Sequence, residues 1–412
     1  MEHGCSQQTK SPYKPGVRRW TLYKSLWLKY WPEFESIYEE KYAARYGPIT
    51  PDKHSEVTKL LDCGVFSNGF VSHECSQCGT KIIIPFTCKS RLCVSCRSKS
   101  LFTWSLNLSQ LLDLSLRHVH VTFTLPGGVN KMLEHSGFNE EDLMPLAASV
   151  YQNFMRMSMW YDKKKLVPGM VTSLHLCGNS LNYNPHVHLV GTLEMVHIGT
   201  GEILSNHWLH YAKARFIWRN AVCSYLLKKQ IISQDQALWI KDKYRDGFNV
   251  HVRHLEVENN EMLGRTAEYI ASGYFHNSQI EAIDHRRKTV TFSYKKHVDS
   301  KTGVKTYSRM TMPIYDFLAK MLYFLPDKNR KMIRYYGIYA NGVRQKMENT
   351  GRATWQKGIE HSFDGRPEIC PRCGSAMLRR TVYHYAAARE MKKIWRTHSC
   401  EDGYFIPYKK GP

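Results

Sequence analysis

Acidic residues are scarce in this 412-residue sequence. It has 36 Asp and Glu against 58 Lys and Arg, which gives a formal net charge of +22. Such a deficit argues against an acidic surface and indicates a polyanionic partner, with nucleic acid first among the candidates. A run of about 20 apolar residues that could cross a bilayer is also missing, and the start at Met1 has no basic-then-apolar signal. We therefore expect a cytoplasmic, nucleoid-associated protein with no membrane partner.

The sequence also lacks the Gly-x4-Gly-Lys-Ser/Thr pattern of a phosphate-binding loop, which argues against ATP-driven unwinding. Aromatic residues, by contrast, are abundant, with 25 Tyr, 16 Phe and 10 Trp. Aromatic rings stack on unpaired bases while Lys and Arg contact phosphates. The same rings could equally form a hydrophobic core.

The chain has 12 cysteines, most of them in two groups. In a reducing compartment thiols are more often metal ligands than disulfide partners. The first group holds two C-x2-C pairs around a short β-like segment, and this arrangement predicts one structural Zn²⁺ bound by Cys75, Cys78, Cys93 and Cys96. Cys63, His73 and Cys88 lie nearby, either in a second site or as groups without a metal.

The second group begins with Cys370 and Cys373, which are spaced as in a zinc knuckle. We expect a second zinc here, with further ligands from His384, His398 or Cys400. Basic side chains also lie among the first group of cysteines, and we expect them to contact DNA phosphates: Lys89, Arg91, Arg97 and Lys99.

Two histidines in the apolar run from Asn184 to Val190 suggest a second kind of metal site. In a strand, His186 and His188 point to the same face while Val187 and Leu189 point to the other. Histidine is a common metal ligand, although the pattern alone also fits two ordinary sheet histidines. A preceding strand and turn predict a hairpin that brings His175 beside this pair as a third ligand.

Two further patterns are ambiguous by themselves. His118 and His120 repeat the alternation on an earlier strand, and we favour an edge-strand face or a phosphate contact over metal binding for them. A capped helix is predicted from Asn259 to Gly273. Its Tyr269, and Tyr274 just beyond it, would be packing residues on composition alone.

The ordered set of motifs resembles the insertion sequence 91 family of rolling-circle transposases. The resemblance runs from Cys63 to Arg344: the zinc cysteines, Thr122 to Pro126, the run from Gly178 to His188, the tyrosine helix, and Met332 to Asn341. It implies an HUH tyrosine endonuclease fold, in which a small antiparallel sheet is packed with helices.

The resemblance also implies chemistry. Members of this family nick one DNA strand with a tyrosine and stay joined to its 5′ end, with a divalent metal at the histidine pair. It places that pair at His186 and His188 and the nucleophile at Tyr269, with Tyr274 as a second candidate. The family spaces its tyrosines four apart, whereas these are five apart, so on one helix they would point about 140° away from each other. Tyr269 is therefore the better match.

The metal preferences follow from ligand chemistry. Histidine sites with open positions accept Mn²⁺, and Mg²⁺ can serve where phosphate and water complete its shell. We expect Mg²⁺ or Mn²⁺ at His175, His186 and His188, and Zn²⁺ at the cysteines. The partner would be single-stranded DNA at transposon ends and target.

Basic segments after the tyrosines fit a DNA-binding role. Two strands joined around Asp299 to Gly303 predict a hairpin that could lie along DNA. The expected DNA contacts in this part of the chain, with buried packing as the alternative for the last three, are Arg286, Arg287, Lys288, Lys295, Lys296, Arg334, Tyr335 and Tyr336.

The sequence as a whole predicts an α+β protein in three parts. These are a helical segment plus zinc module (1–105), an HUH tyrosine nuclease domain (106–345) and a basic C-terminal segment with a possible zinc knuckle (346–412). Two other functions remain open. One is a zinc-dependent DNA-binding regulator that does not cleave DNA, and the other is a plasmid replication initiator or relaxase with the same chemistry.

Overall fold

A computed structural model describes most of the chain between residues 21 and 383. The described residues are 21–65, 69–113, 115–157, 165–205, 211–255, 275–298, 304–340, 369–370, 372–377 and 379–383. The predicted tyrosine helix, with Tyr269 and Tyr274, lies outside these residues, as do His384, His398 and Cys400.

Three helices form the N-terminal part: α1 (Leu22–Lys41), α2 (Ala43–Tyr46) and α3 (Pro51–Leu61). The hydroxyl of Thr21 accepts a hydrogen bond from the Lys24 amide and so caps α1. Trp27 and Phe34 are fully buried on the inner side of α1. This row of aromatic residues anchors the N-terminal helices to the rest of the core.

The cysteine-rich part is a three-stranded antiparallel sheet followed by a helix. Its strands are β1 (Phe70–Glu74) and β2 (Lys81–Pro85), and α4 (Val94–Leu111) comes next in the chain. The third strand, β12 (Arg379–Tyr383), pairs with β1 although it comes from the far end of the chain. The predicted C-terminal segment thus supplies a strand to the cysteine-rich sheet.

A six-stranded antiparallel sheet forms the centre of the molecule, in the order β11-β4-β5-β3-β7 with β6 paired to β5. Its strands are β3 (His118–Thr124), β4 (Leu166–Cys177), β5 (Tyr183–His197), β6 (Ile203–Ser205), β7 (Val250–Leu255) and β11 (Ile333–Gly337). The predicted α+β class with an antiparallel sheet is confirmed.

Four helices accompany this sheet: α5 (Gly127–Leu133), α6 (Leu143–Met157), α7 (Tyr211–Lys228) and α8 (Gln234–Lys243). Alternate residues of β3 and β5, such as Val121, Phe123 and Val187, are buried in the core that includes α6 and α7. The indole of Trp218 on α7 donates a hydrogen bond to Thr124 O at 2.9 Å. One face of the sheet is therefore apolar, and the histidines lie on the other.

A second three-stranded sheet completes the core. It consists of β8 (Ile280–Asp284), β9 (Thr289–Val298) and β10 (Lys305–Pro313), and α9 (Ile314–Tyr323) follows it in the chain. The predicted basic hairpin is confirmed as β9 and β10. Phe292 of β9 and Phe317 of α9 pack against each other with ring centroids 6.0 Å apart. Among the helices described, none is long and apolar enough to span a bilayer.

Gly337 allows a close approach between β11 and β4. Gly337 has a φ of 60°, and a Cβ there would lie 1.7 Å from Pro168 O. Gly47 has a φ of 75° but no atom within 4 Å of such a Cβ. We expect Gly337→Ala to lower the thermal unfolding midpoint clearly more than Gly47→Ala, because only the first adds a backbone collision to the about 1–2 kcal/mol cost of a left-handed alanine. Equal shifts in the two variants would contradict this.

Candidate metal centre

Three histidines converge on the open face of the central sheet. The register places His175 of β4 directly opposite His186 of β5, with Ser173 opposite His188. One nitrogen from each of the three rings lies within 4.8 Å of the other two. The predicted position of His175 beside the pair is confirmed, and three imidazoles in this arrangement fit a divalent ion with open positions.

The surroundings of His186 and His188 disfavour the charged form of these two rings. Burial lowers the pKa of His186 and of His188, and the neighbouring His175 lowers that of His188 further. His186 Nδ1 lies 2.7 Å from Asn184 O. Since a carbonyl only accepts, Nδ1 carries the proton and Nε2 is the atom that can bind a metal. Neutral imidazoles are the form that metals require.

His120 supports the triad from the neighbouring strand. Its Nε2 lies 2.8 Å from His188 Nδ1, and Thr122 Oγ1 lies 3.3 Å from the same nitrogen. Burial lowers the pKa of His120 to about 4, so it can accept the His188 proton and leave Nε2 of His188 for a metal. The expectation of an edge strand was wrong, because β3 lies between β5 and β7. Only the repeated histidine alternation hinted at this contact.

His118, the other member of that alternation, has a different contact. Its Nε2 lies 2.7 Å from the hydroxyl of Tyr339, and both residues are buried. His118 lies one sheet row beyond His120, opposite Thr192 of β5. It is a packing residue at the covered end of the sheet face.

Two residues of β7 that no sequence motif marked extend the open face. His251 lies opposite Thr122, and Arg253 lies opposite His120. Because directly opposed residues share a face, both point to the side that carries the triad. Both are exposed. The alternation His-Val-Arg in this strand was the sequence signal that His251 and Arg253 share a face.

The thiols of the cysteine-rich part form two clusters of four. One contains Cys63, Cys88, Cys93 and Cys96, and the other contains Cys75, Cys78, Cys370 and Cys373. Neighbouring sulfur atoms lie 3.5 to 3.7 Å apart. This is too long for a disulfide and close to the edge of about 3.8 Å expected for a tetrahedron with Zn–S bonds of ~2.3 Å.

The predicted cage of Cys75, Cys78, Cys93 and Cys96 is therefore wrong. Each C-x2-C pair supplies half of a different site. The pairing of β12 with β1 runs next to the second cluster and accompanies the approach of the C-terminal pair to Cys75 and Cys78. Cys63 and Cys88, whose role was open, complete the first cluster, while His73 belongs to neither cluster. The second cluster is complete without the ligands expected from His384, His398 or Cys400.

Polar neighbours fit thiolates in both clusters. The buried Lys24 ammonium donates to Cys63 O and lies where it would offset negative charge on the first cluster. Burial lowers the pKa of Lys24, while the Cys63 and Cys93 thiols oppose that shift. In the second cluster, hydrogen bonds from the Thr80 hydroxyl and amide lower the pKa of Cys78 to about 6.

A cleft of about 250 Å³ joins the cysteine-rich part to the histidine strand. Its lining includes Lys89, Arg97, Lys328 and His175. Arg91 also reaches the cleft, but its guanidinium forms ion pairs with Asp52 and Glu56.

The other expected DNA contacts fall into two groups. Arg286, Arg287 and Lys288 form the exposed turn between β8 and β9, where Lys288 pairs with Glu33 of α1 at 2.7 Å. Lys295 of β9 is close enough to His188 to lower the pKa of that imidazole. The Lys295 carbonyl accepts from Asn179 Nδ2, which ties the hairpin to the loop before β5. The side chain of Lys296 is outside the described part.

The β11 residues, by contrast, have partners within the protein. Arg334 forms an ion pair with Glu141 at 2.8 Å. The Tyr335 hydroxyl accepts from the indole of Trp104, and Tyr336 packs against the main core. These contacts favour the packing alternative for all three.

Comparison with known proteins agrees with this geometry. A family model described as “Putative transposase” matches residues 169–347, and one described as “Transposase zinc-binding domain”, of the IS91 type, matches residues 34–125. The two segments do not overlap and together cover most of the chain. The chain belongs to the IS91 family of transposases.

Two relatives support the assignment to the IS91 family. The transposase for insertion sequence element IS801 from Pseudomonas savastanoi pv. phaseolicola is 25% identical over 307 residues, which cover 70% of either chain. “Putative transposase y4qJ” from Sinorhizobium fredii is 27% identical over 173 residues, 39% of this chain and 40% of its own. No solved structure matches.

Two thiolate clusters predict two tightly bound Zn²⁺ in this IS91-family protein. We expect mass spectrometry under non-denaturing conditions to find two zinc ions per chain, and one in either Cys93→Ser or Cys373→Ser. Cys223→Ser is the matched control, because Cys223 is buried in α7 outside both clusters. A Cys373→Ser protein that keeps two zinc ions would contradict the second site.

The contact between His120 and His188 predicts that His120 tunes metal affinity. Loss of such a supporting residue typically weakens binding about 10- to 100-fold. We expect His120→Ala to weaken Mn²⁺ binding by about that factor in calorimetric titrations of the zinc-loaded protein. His118→Ala, two residues away on the same strand, should leave affinity within about threefold. Equal effects of the two changes would show that His120 acts only on the fold.

Proposed function

We propose that this IS91-family protein nicks and joins single-stranded DNA through a covalent 5′-phosphotyrosine. The observation that carries the proposal is the convergence of His175, His186 and His188 on the open face of the sheet. Family membership supports the same reading, because the match to the transposase model includes these histidines and Tyr269.

His175, His186 and His188 would hold Mg²⁺ or Mn²⁺. When bound, the ion would offset the negative charge of a phosphodiester and polarise its phosphorus. The residues themselves are suited to holding it: their donor atoms are imidazole nitrogens, burial lowers the pKa of His186 and His188, and His120 orients His188. The thiolate clusters would hold structural Zn²⁺.

Tyr269 is our proposed nucleophile. Its hydroxyl oxygen would form a bond to phosphorus as the bond from phosphorus to the 3′ oxygen breaks, and the leaving 3′ oxygen would take up a proton. The resulting phosphotyrosine conserves the bond energy, so a new 3′ hydroxyl can later displace the tyrosine and rejoin the strand. Tyr274 remains the second candidate.

The substrate follows from the charges near the triad. Lys295 lies close to His188, and Lys89 and Arg97 line the cleft that reaches His175. We propose that these cations bind phosphates of single-stranded DNA from transposon ends and target, in the cytoplasm at the nucleoid. A replication initiator or relaxase would share this chemistry and differ only in its DNA.

An adduct assay tests the proposal. Protein incubated with Mn²⁺ and single-stranded DNA from the ends of its own element should give a species that survives denaturation and migrates with the added mass of DNA. Chelation should abolish it, and so should Tyr269→Phe. Tyr307→Phe, at an exposed tyrosine of β10, is the matched control and should leave it unchanged.

The outcomes separate the alternatives. An adduct that survives both Tyr269→Phe and Tyr274→Phe would disprove the nucleophile assignment. DNA that binds equally well with and without divalent ion, with no adduct under any condition, would instead show a zinc-dependent DNA-binding regulator.

A further inference from the structure

Two aromatic side chains, one on α7 and one on α8, are exposed. Phe216 is 41% exposed and Trp239 is 43% exposed. Arg219, one turn after Phe216, donates to the carbonyl of Tyr244 at 2.8 Å and so joins α7 to the end of α8. We call Phe216, Arg219, Trp239, Lys243 and Tyr244 the α7–α8 platform.

A cation lies over each ring of this platform. Lys243 Nζ lies 4.6 Å from the centroid of Trp239 and 6.0 Å from that of Tyr244. The Arg219 guanidinium lies 5.6 Å from the Phe216 centroid. Exposed rings accompanied by cations are the combination that binds unpaired bases through stacking and their phosphates through charge.

The platform packs against α5, the helix that follows β3 in the chain. A Cβ on Gly128 would lie 2.6 Å from the Tyr244 hydroxyl and 3.4 Å from Trp239 Cη2, so both rings pack directly on the first turn of α5. A side chain at this position would require the Tyr244 hydroxyl to shift. The position of the two rings is therefore set by the helix beneath them.

From α5 the connection to the histidines is short. Asn130 Nδ2 donates to Asn184 Oδ1 at 2.8 Å, and the Asn184 carbonyl accepts from His186. On the α7 side, Trp218 donates to Thr124 O, and Thr124 lies opposite His186. The platform thus lies at the same end of the sheet as the triad, although α7 packs on the apolar face and the histidines lie on the opposite face.

We propose that the α7–α8 platform stacks unpaired bases of the single strand whose phosphate lies at the histidine triad. The proposal rests on the proposed function for its substrate. In a duplex the base faces are covered by their neighbours, so the platform is suited to single strands. A protein partner with an apolar face would gain less, because the cations beside these rings have to be desolvated.

The test compares two probes in the presence of a chelator, so that no cleavage is required. One probe is oligo(dT) of about 20 nucleotides, and the other is an abasic strand of the same length. We expect the wild-type protein to bind the dT strand about five- to thirty-fold more tightly, because stacking needs bases. Fluorescence anisotropy measures both affinities.

Trp239→Ala should lose most of this preference and keep its affinity for the abasic strand, while Trp239→Phe should retain part of it. Ile203→Ala is the control: Ile203 is an exposed apolar residue on β6, far along β5 from His186. Lys243→Ala provides a second test, with weaker binding of both strands expected.

Two outcomes would overturn the proposal that the platform stacks bases. In the first, Trp239→Ala keeps the wild-type preference for bases. In the second, Trp239→Ala changes the sedimentation of the protein but not its DNA affinity, which would make the surface a contact between copies of the chain. Neither result bears on the adduct assay, so the platform and the proposed function can fail separately.

Discussion

The register between β4 and β5 is the constraint on which the rest of the site depends. Side chains alternate along a strand, so a slip of one residue would bury His186 and His188 and turn Val187 and Leu189 outward. Val187 and Leu189 are fully buried, and their burial opposes any such slip. Irregularities in the pairing on either side of this stretch, at Pro168 to Met170 and at His175 to Cys177, bound the region where the register holds. The apolar side of the sheet thereby determines the geometry of the polar side.

The face of the central sheet that carries the histidines has two different ends. At one end Val171, Val190 and Tyr339 form a small apolar cluster with Leu108 of α4 and with Leu112 just after it. At the other end the histidines lie between the cleft and the strand β7. His188 is buried while His175 and His186 are half-buried: α4 covers one side, and the cleft leaves an approach at His175. Burial lowers the pKa of His186 and of His188, and the cleft leaves His175 accessible.

Much of the central sheet could be predicted from the sequence because its signals are local. Strand alternation placed His186 and His188 on one face, and a single turn was enough to bring His175 beside them. The thiol clusters were different. C-x2-C spacing specifies a pair of ligands, but which pairs meet depends on β12 joining β1 and on Cys63 lying at the end of α3, and neither is a local property. His120 was ambiguous for the same reason, since its partner belongs to another strand. Tyr269 stays a prediction from the sequence.

The second thiolate cluster joins cysteines that are 292 and 298 residues apart in the chain. Synthesis proceeds from the N-terminus, and domains begin to fold as they emerge. Cys63, Cys88, Cys93 and Cys96 are all present early, so the first cluster can form on the ribosome. Cys75 and Cys78 must wait until nearly the whole chain has been made. Until then their thiolates are an incomplete site, open to other metals and to oxidation, and zinc supply during translation becomes part of how this protein matures.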